Sequence, residues 1–241
     1  LYMRLLDAGV DGTMVILNFL KNIPTEIFEN EMPEVLIHHY GLREDSGGAG
    51  EYRGGTGIEI EFETSVPYPS ITSRCMERYV FGPPGRLGGE PGATGYTLFN
   101  PRTERETNIG KIDVLEMQPG DRLRIGTQGG GGYGDPLNRP LEKVAEDVSN
   151  GLVHQRTCEN LYGVIIRDGR IDKEATRKQR AKLQAERGWN EPPLFGFGEA
   201  REIYMSKWTI EIEDALSNAI KDLPIQLMQF LHTRLRLQRG P

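Results

Sequence analysis

The chain has 241 residues, enough to bury one or two hydrophobic cores without disulfide bonds. Charged residues make up 27% of the chain, and its net charge is -6. The chain therefore lacks the positive field of a nucleic-acid-binding protein, and we expect no nucleic-acid partner. No apolar run approaches the ~20 residues of a membrane span, so we expect a protein that does not enter a membrane. Only two cysteines occur, which predicts a protein of the reducing cytoplasm.

Short apolar-alternating runs, separated by glycine and proline, predict antiparallel strands in the first part of the chain. Val35–Tyr40 is one candidate. In Ile58–Glu63 the apolar side chains lie on one face and three glutamates on the other, so one face is expected to meet the core. Arg122–Ile125 follows a turn signal at residues 119–121. Most of the thirty glycines lie between residues 41 and 134, which favours a sheet with many close turns.

After residue 140 the apolar period changes from two to that of helices. The expected helices cover residues 141–148, 155–162, 173–187, 208–223 and 227–235. Asn150-Gly151 is a stop signal for the first of them, and Gly188 for the third. Residues 192–198 contain two prolines and two glycines and are therefore interpreted as a linker.

These patterns predict an α+β fold, with a glycine-rich antiparallel β-sheet domain, sandwich- or barrel-like, followed by a C-terminal helical region. We expect a β domain over residues 1–140, a helical segment over 141–190 and an amphipathic helical hairpin over 191–241. The hairpin either serves assembly with other subunits or folds back to bury its apolar stripes on its own domain.

Two glycine-rich strings supply most of the candidate substrate-binding residues. The string at residues 129–136 has four consecutive glycines, which allow close approach of a ligand or of another backbone. It is not a Walker A loop, because the Lys-Ser/Thr pair is absent. The candidates from this string and from the loop at residues 88–95 are Gly88, Gly89, Gly130, Gly131 and Asp135. The alternative is that both strings are tightly packed turns without a ligand.

Arg78 is a further candidate for substrate binding, because a guanidinium beside the glycine loops can hold a carboxylate or phosphate through two hydrogen bonds. The alternative is a surface ion pair with a glutamate. His38 and His39 are neighbours on a predicted strand, where adjacent side chains point to opposite faces, so they are not expected to share a metal ion. No serine or cysteine stands recognisably beside a histidine, so no catalytic residue is assigned.

An ordered set of motifs resembles the hydantoinase B/5-oxoprolinase family. The motifs are Asn22-x-Pro24-x-Glu26, Asp45 through Gly50, Tyr52 through Gly55, Pro83 through Gly92, and Gly129 through Pro136, followed by Asp147-Val148-x-x-Gly151-Leu152-Val153 and Tyr162-Gly163-Val164. The chain departs from the usual pattern at Glu77-Arg78, where the family often has Asp-Arg, and at residues 82–85, where Pro-Pro-aromatic-Gly is common.

The resemblance implies the C-terminal part of a larger subunit in a heteromer. Because the chain begins with Leu1 and lacks a signal peptide, we expect a truncated reading frame or a split subunit. The implied partner is a hydantoinase A-like subunit that binds ATP and phosphorylates a carbonyl-type oxygen of the substrate. A divalent metal would belong to the N-terminal part of such a subunit, so the resemblance implies no metal and no cofactor on this chain.

The resemblance leaves three functions open. The first is hydrolysis of a cyclic amide, a hydantoin or 5-oxoproline, in which water opens the phosphorylated ring; the fragment alone is then expected to be inactive. The second is carboxylation of a ketone, as in acetone and acetophenone carboxylases, in which an enol phosphate attacks carbon dioxide. The third is a noncatalytic scaffold module that presents a binding surface to its partner.

Overall fold

The computed structural model describes residues 30–32, 34–72, 77–112, 114–228 and 230–231. The expected motif at Asn22, Pro24 and Glu26, together with Cys75 and the last predicted helix beyond Leu231, lies outside the described residues. In chain order the strands are β1 (Val35–Leu42), β2 (Ile58–Thr64), β3 (Ser70–Thr72), β4 (Gly85–Arg86), β5 (Tyr96–Phe99), β6 (Thr107–Asn108), β7 (Val114–Glu116), β8 (Arg122–Gly126), β9 (Ile166–Arg167), β10 (Arg170–Ile171) and β11 (Phe195–Gly196). The helices are α1 (Leu141–Ser149), α2 (Gln155–Leu161), α3 (Lys173–Glu186), α4 (Glu199–Lys207) and α5 (Ile210–Ile220).

Five strands form one antiparallel sheet in the order β1, β2, β8, β5, β6. At its centre Ile60 of β2 lies opposite Tyr40 of β1 and Ile125 of β8. The strands β3 and β7, β4 and β11, and β9 and β10 form three further antiparallel pairs. The predicted α+β class, an antiparallel sheet followed by helices, is confirmed.

One face of this sheet carries an apolar core, as the alternation in β2 predicts. Met117 and Leu123 are fully buried and Ile112 nearly so, and Phe62 of β2 packs against them. The turn before β8 has Gly120 at a φ of 84°, a left-handed conformation that glycine adopts without strain. This turn directs β8 back between β2 and β5.

The opposite face of β2 is covered by arginines. Glu59 is only 9% exposed and Glu61 is fully buried. Arg124 forms ion pairs with both glutamates, and Arg102 pairs with Glu61 from a loop after β5. Burying a carboxylate is tolerable only when it is paired, so these arginines allow the glutamate face to be covered.

A bulge at His38 places two adjacent histidines along the same carboxylate row. The pairing register of β1 shifts between Ile37 and His39. His38 Nε2 lies 2.8 Å from Glu63 Oε2, and His39 Nε2 lies 3.5 Å from Glu59 Oε1. Strict alternation would place the two rings on opposite faces of the strand. Because the bulge inserts one extra residue, both rings instead lie along the same row of carboxylates. The hydrogen bond with His38 lowers the pKa of Glu63 below its usual value.

The helices after residue 140 enclose a second apolar core. Val144 of α1, Cys158 of α2 and the segment around Tyr162 and Val164 are buried together, with Ala49 from the glycine-rich region. The helix α1 ends at Ser149, Asn150 caps it, and Gly151 follows at a φ of 68°, so the predicted stop signal is confirmed. The predicted helices at 155–162 and 173–187 are also confirmed, as α2 and α3.

The chain divides into two compact units, residues 1–196 and 197–241. The predicted linker at 192–198 is wrong in part, because β11 lies within it and pairs with β4. The helix predicted over 208–223 is shorter in the structure, where α5 spans only Ile210–Ile220. A separate helix, α4, precedes it and ends at Lys207. Residues 225–228 and 230–231 are also helical. The domain boundaries at 140 and 190 and the assembly role of the last helices stay predictions.

Candidate functional site

Three extended segments of the glycine-rich region hydrogen-bond to one another through their backbones. We call residues 46–57, 82–95 and 127–134 the glycine web. Gly48 N donates to Gly130 O at 2.8 Å, and Gly130 N donates to Gly55 O at 2.8 Å. The middle segment joins both others, because Glu90 N donates to Ala49 O at 2.7 Å and Gly132 N donates to Glu90 O at 2.9 Å. The web is therefore a core made of main chain.

The spacing of these segments leaves no room for side chains. A Cβ atom at Gly129 would overlap Ser46 O, one at Gly131 would overlap Pro84 O, and one at Gly132 would overlap Ala49 O. None of the glycines from 129 to 132 has a positive φ. Close backbone approach is therefore what requires glycine at these positions.

The structure separates the six sequence-predicted site residues into three places. Gly89, Gly130 and Gly131 lie in the web, where each contacts another backbone segment. Gly88 and Asp135 lie at one end of the web, beside a cleft. Arg78 is exposed in a loop, where its carbonyl accepts from Gly95 N at 3.0 Å. The assignment of these residues to substrate binding stays a prediction.

The cleft beside Asp135 has a volume of about 470 Å³ and lies between the web, α3 and the segment after α3. Asp135 accepts a hydrogen bond from Leu137 N at 2.9 Å and forms an ion pair with Arg187. The Arg187 guanidinium lies 4.1 Å from the centre of the Trp189 ring. Gly88 N donates to Pro193 O at 3.0 Å. Sequence reasoning missed Arg187 and Trp189, because their contacts with residues 88 and 135 are long-range.

The polar lining of the cleft consists of charged side chains held by hydrogen bonds or ion pairs, such as Asp135, Arg180 and Arg187, and of exposed carboxamides. Burial lowers the pKa of Arg180, whose Nε donates to Tyr162 O at 3.0 Å. Exposed carboxamides line the cleft as well, at Asn138, Gln184 and Asn190. Among the described residues no group of three or more His, Cys, Asp or Glu is placed to hold a metal ion. The cleft offers hydrogen bonds rather than an activated nucleophile.

The family-like motifs on either side of residue 140 meet at one buried aspartate. Asp147 of α1 lies 3.4 Å from Arg53 Nε, and Arg139 Nη2 donates to it at 2.9 Å. All three side chains are at most 8% exposed. A second aspartate, Asp45, accepts from His154 N at 2.9 Å at the start of α2. These contacts join the helices to the web, so both motifs have structural roles.

Buried Cys158 is not a nucleophile. Its side chain has no exposed surface, and its Sγ donates to Val164 O at 3.1 Å. Burial raises the pKa of the thiol to about 11. Cys158 is therefore an ordinary buried thiol. No helix among the described residues is long and apolar enough to cross a membrane.

Comparison with known proteins agrees with the motifs. The family model for hydantoinase B/oxoprolinase matches residues 6–136. The chain is 38% identical over 182 residues to caprolactamase subunit beta from Pseudomonas jessenii. The aligned stretch covers 70% of this chain and 30% of that protein. The crystal structure of ATP-dependent caprolactamase from Pseudomonas jessenii is similar with a TM-score of 0.51 and 34% identity, over 61% of this chain and 26% of that one.

A second solved structure shares the fold over a longer stretch. The nucleotide-free structure of acetone carboxylase has a TM-score of 0.59 at 20% identity, over 92% of this chain and 32% of that chain. The chain thus spans about a third or less of these relatives. Because the family model covers more than half of its residues, the chain belongs to the hydantoinase B/oxoprolinase family.

Proposed function

We propose that this chain is part of the hydantoinase B-type subunit of an ATP-dependent enzyme that hydrolyses cyclic amides. The observation that carries the proposal is the 38% identity to caprolactamase subunit beta, over 182 residues. The match to the family model, over residues 6–136, contains all three segments of the glycine web. The substrate class is a lactam, a hydantoin or 5-oxoproline.

In this proposal the chain contributes structure and leaves the chemistry to other parts of the enzyme. A separate subunit or domain, hydantoinase A-like, uses ATP to phosphorylate the amide oxygen, and water then adds to the amide carbon. The carbon–nitrogen bond then breaks, which leaves an amine and an acyl phosphate. A second water hydrolyses the acyl phosphate to phosphate and the open-chain carboxylic acid. The described residues include no cluster fit for a metal ion, so no step is assigned to a metal on them.

The test is an assay of the complex formed with the ATP-using subunit of the same organism. Caprolactam, 5-oxoproline and hydantoin are supplied in turn with ATP, and both ADP and the ring-opened product are measured. We expect ring opening of at least one substrate, with ADP formed in step, and no turnover by the 241-residue chain alone. Failure of all three rings, in a complex that binds ATP, would contradict the proposal.

Ketone carboxylation is the second candidate, favoured by the extent of the likeness to acetone carboxylase. That likeness covers 92% of the chain, but at 20% identity it indicates the fold alone. The same complex, given acetone, labelled bicarbonate and ATP, would then fix the label in a non-volatile acid. Labelled product without ring opening would replace the first proposal with this one. Absence of both reactions would favour a noncatalytic scaffold.

A further inference from the structure

One side of the cleft beside Asp135 carries a fixed positive charge. Asp135 forms an ion pair with Arg187 and also interacts with the charge of Arg180, so the three side chains together carry one net positive charge. The main chain holds Arg180 in place, because Nε donates to Tyr162 O at 3.0 Å and Nη2 donates to Arg139 O at 2.8 Å. A guanidinium fixed in this way is suited to a carboxylate.

The cleft also contains an unpaired carboxylate, that of Glu51. Within the described ranges this carboxylate forms no hydrogen bond and no ion pair, and Glu51 is only half-exposed. The other described glutamates are either exposed to water or paired, the paired and less exposed ones being Glu59, Glu61, Glu63, Glu159 and Glu213. Partial burial removes hydration from the Glu51 carboxylate, and a cationic ligand would replace it.

Arg139 fixes the two charges relative to each other. Its Nη1 donates to Glu51 O at 3.0 Å, while its own carbonyl accepts from Arg180 Nη2. Gly134 leaves room for the glutamate side chain, since a Cβ at this position would lie 3.3 Å from Glu51 Oε2. Charges held by the backbone before binding cost a ligand little ordering entropy.

Apolar side chains line other parts of the cleft, and these are Leu87, Leu137, Trp189 and Pro192. The Trp189 ring is wedged in place, because one face meets the Arg187 guanidinium and its edge would lie 3.2 Å from a Cβ at Gly88. The volume of about 470 Å³ falls within the usual range of small-molecule sites. The lining is therefore suited to a ligand with a short hydrocarbon chain between its charges.

We infer that the cleft binds a zwitterionic amino acid, with its ammonium group at Glu51 and its carboxylate at Arg180. The two charges select this class, because an anion without an ammonium group would leave Glu51 unpaired and a cation without a carboxylate would leave the positive cluster unpaired. The ring-opened product of a lactam carries an amine and a carboxylate on one chain. The inference rests on the proposed function for the identity of that product.

The experiment measures the binding of 4-aminobutanoate and 6-aminohexanoate to the full 241-residue chain by calorimetry. For each length, the matching alkylamine and alkylcarboxylate are the comparison ligands, since each keeps the hydrocarbon chain and one charge. We expect at least one amino acid to bind, and its two comparison ligands to bind about tenfold or more weakly. Equal affinity for an amino acid and either of its comparison ligands would overturn the inference.

Glu51→Gln keeps the shape of the side chain and removes its charge. We expect this variant to raise the Kd of the amino acid about tenfold or more, without a change in melting temperature. Glu142→Gln is the matched control, because Glu142 is exposed on α1 and does not line the cleft. An unchanged Kd in folded Glu51→Gln would contradict the inference. If that variant does not fold, the comparison ligands decide with the unchanged chain.

The outcomes separate this inference from the proposed function. If neither amino acid binds the unchanged chain, the inference fails, and the ring-opening assay still decides the proposed function. If an amino acid binds as expected but the complex opens no ring, the proposed function fails. The cleft then remains a site for a zwitterion, and its link to a lactam product is lost.

Discussion

At the scale of single residues, Asp147 is the side chain whose loss should cost most. It is the shared partner of Arg53 and Arg139, and all three are buried. Asp147→Asn would leave two buried guanidinium groups without this counter-charge, so we expect the free energy of unfolding to fall by about 3 kcal/mol or more. Urea unfolding measures the change.

The neighbouring Glu146 provides the control for that substitution. It lies on the same helix and pairs only at the surface, 3.2 Å from Lys143 Nζ. Glu146→Gln should change the free energy of unfolding by less than about 1 kcal/mol. Equal unfolding midpoints for the two variants would show that the Asp147 cluster contributes no more than a surface pair.

Cys158 should be unreactive in the folded protein. Its thiol is fully buried, and burial raises its pKa to about 11. In a Cys75→Ser variant we expect iodoacetamide to leave Cys158 unmodified at pH 8 and to modify it in urea, as mass spectrometry would report. Because the folded pKa exceeds the unfolded value of about 8.5, this thiol favours folding below pH 8.5 and loses that contribution as the pH rises toward 11. Rapid native labelling would contradict the buried placement.

At the scale of elements, the glycine web should tolerate no side chain. A Cβ at Gly131 would overlap the backbone oxygen of Pro84, which cannot move without displacing β4. We expect Gly131→Val to lower the free energy of unfolding by about 3 kcal/mol or more, or to prevent folding. Thermal unfolding followed by circular dichroism measures this.

Gly188→Val is the matched control for the web. No atom lies within 4 Å of a Cβ built at Gly188, so the same substitution should leave the melting temperature nearly unchanged. If both valine variants melt together, the web is looser than its geometry indicates.

The elements also show how far the sequence alone could predict the fold. The strands β2 and β8 have regular alternation and helices α1 and α3 have clear stop signals, so these elements could be predicted. The bulge at His38 could not, because it depends on how β1 pairs with β2. The strand β11 could not either, because the two prolines that precede it are typical of a linker, and only its pairing with β4 defines it as a strand.

The same distinction applies to the candidate site. The strings of consecutive glycines were recognisable, and close backbone approach was one of the two interpretations open to them. Which backbones approach was not predictable, since Ser46 and Pro84 are distant from Gly129 and Gly131 in sequence. The covering of Glu61 by Arg102 is likewise a contact across 41 positions, which no local pattern indicates.

At the scale of the whole molecule, truncation can test where the first compact unit, residues 1–196, ends. A chain ending at Gly198 keeps all of the unit at residues 1–196, including β11, so it should remain folded by circular dichroism. A chain ending at Asn190 loses the pairing of β11 with β4 and the hydrogen bond from Gly88 N to Pro193 O, so it should melt at a lower temperature. Equal melting temperatures would place the boundary at 190, as the sequence predicts.

A core built from main chain also changes the heat capacity of unfolding. Exposing apolar surface raises that heat capacity, whereas exposing polar surface lowers it. Unfolding of the web releases many peptide groups, such as those of Gly48, Glu90 and Gly130, at positions where glycine adds no hydrocarbon side chain. Calorimetry should therefore give a heat capacity change below the usual ~12 cal/mol/K per residue. A smaller heat capacity change flattens the dependence of stability on temperature, so the protein should lose less of its stability on cooling than a domain of equal size whose cores consist of apolar side chains alone.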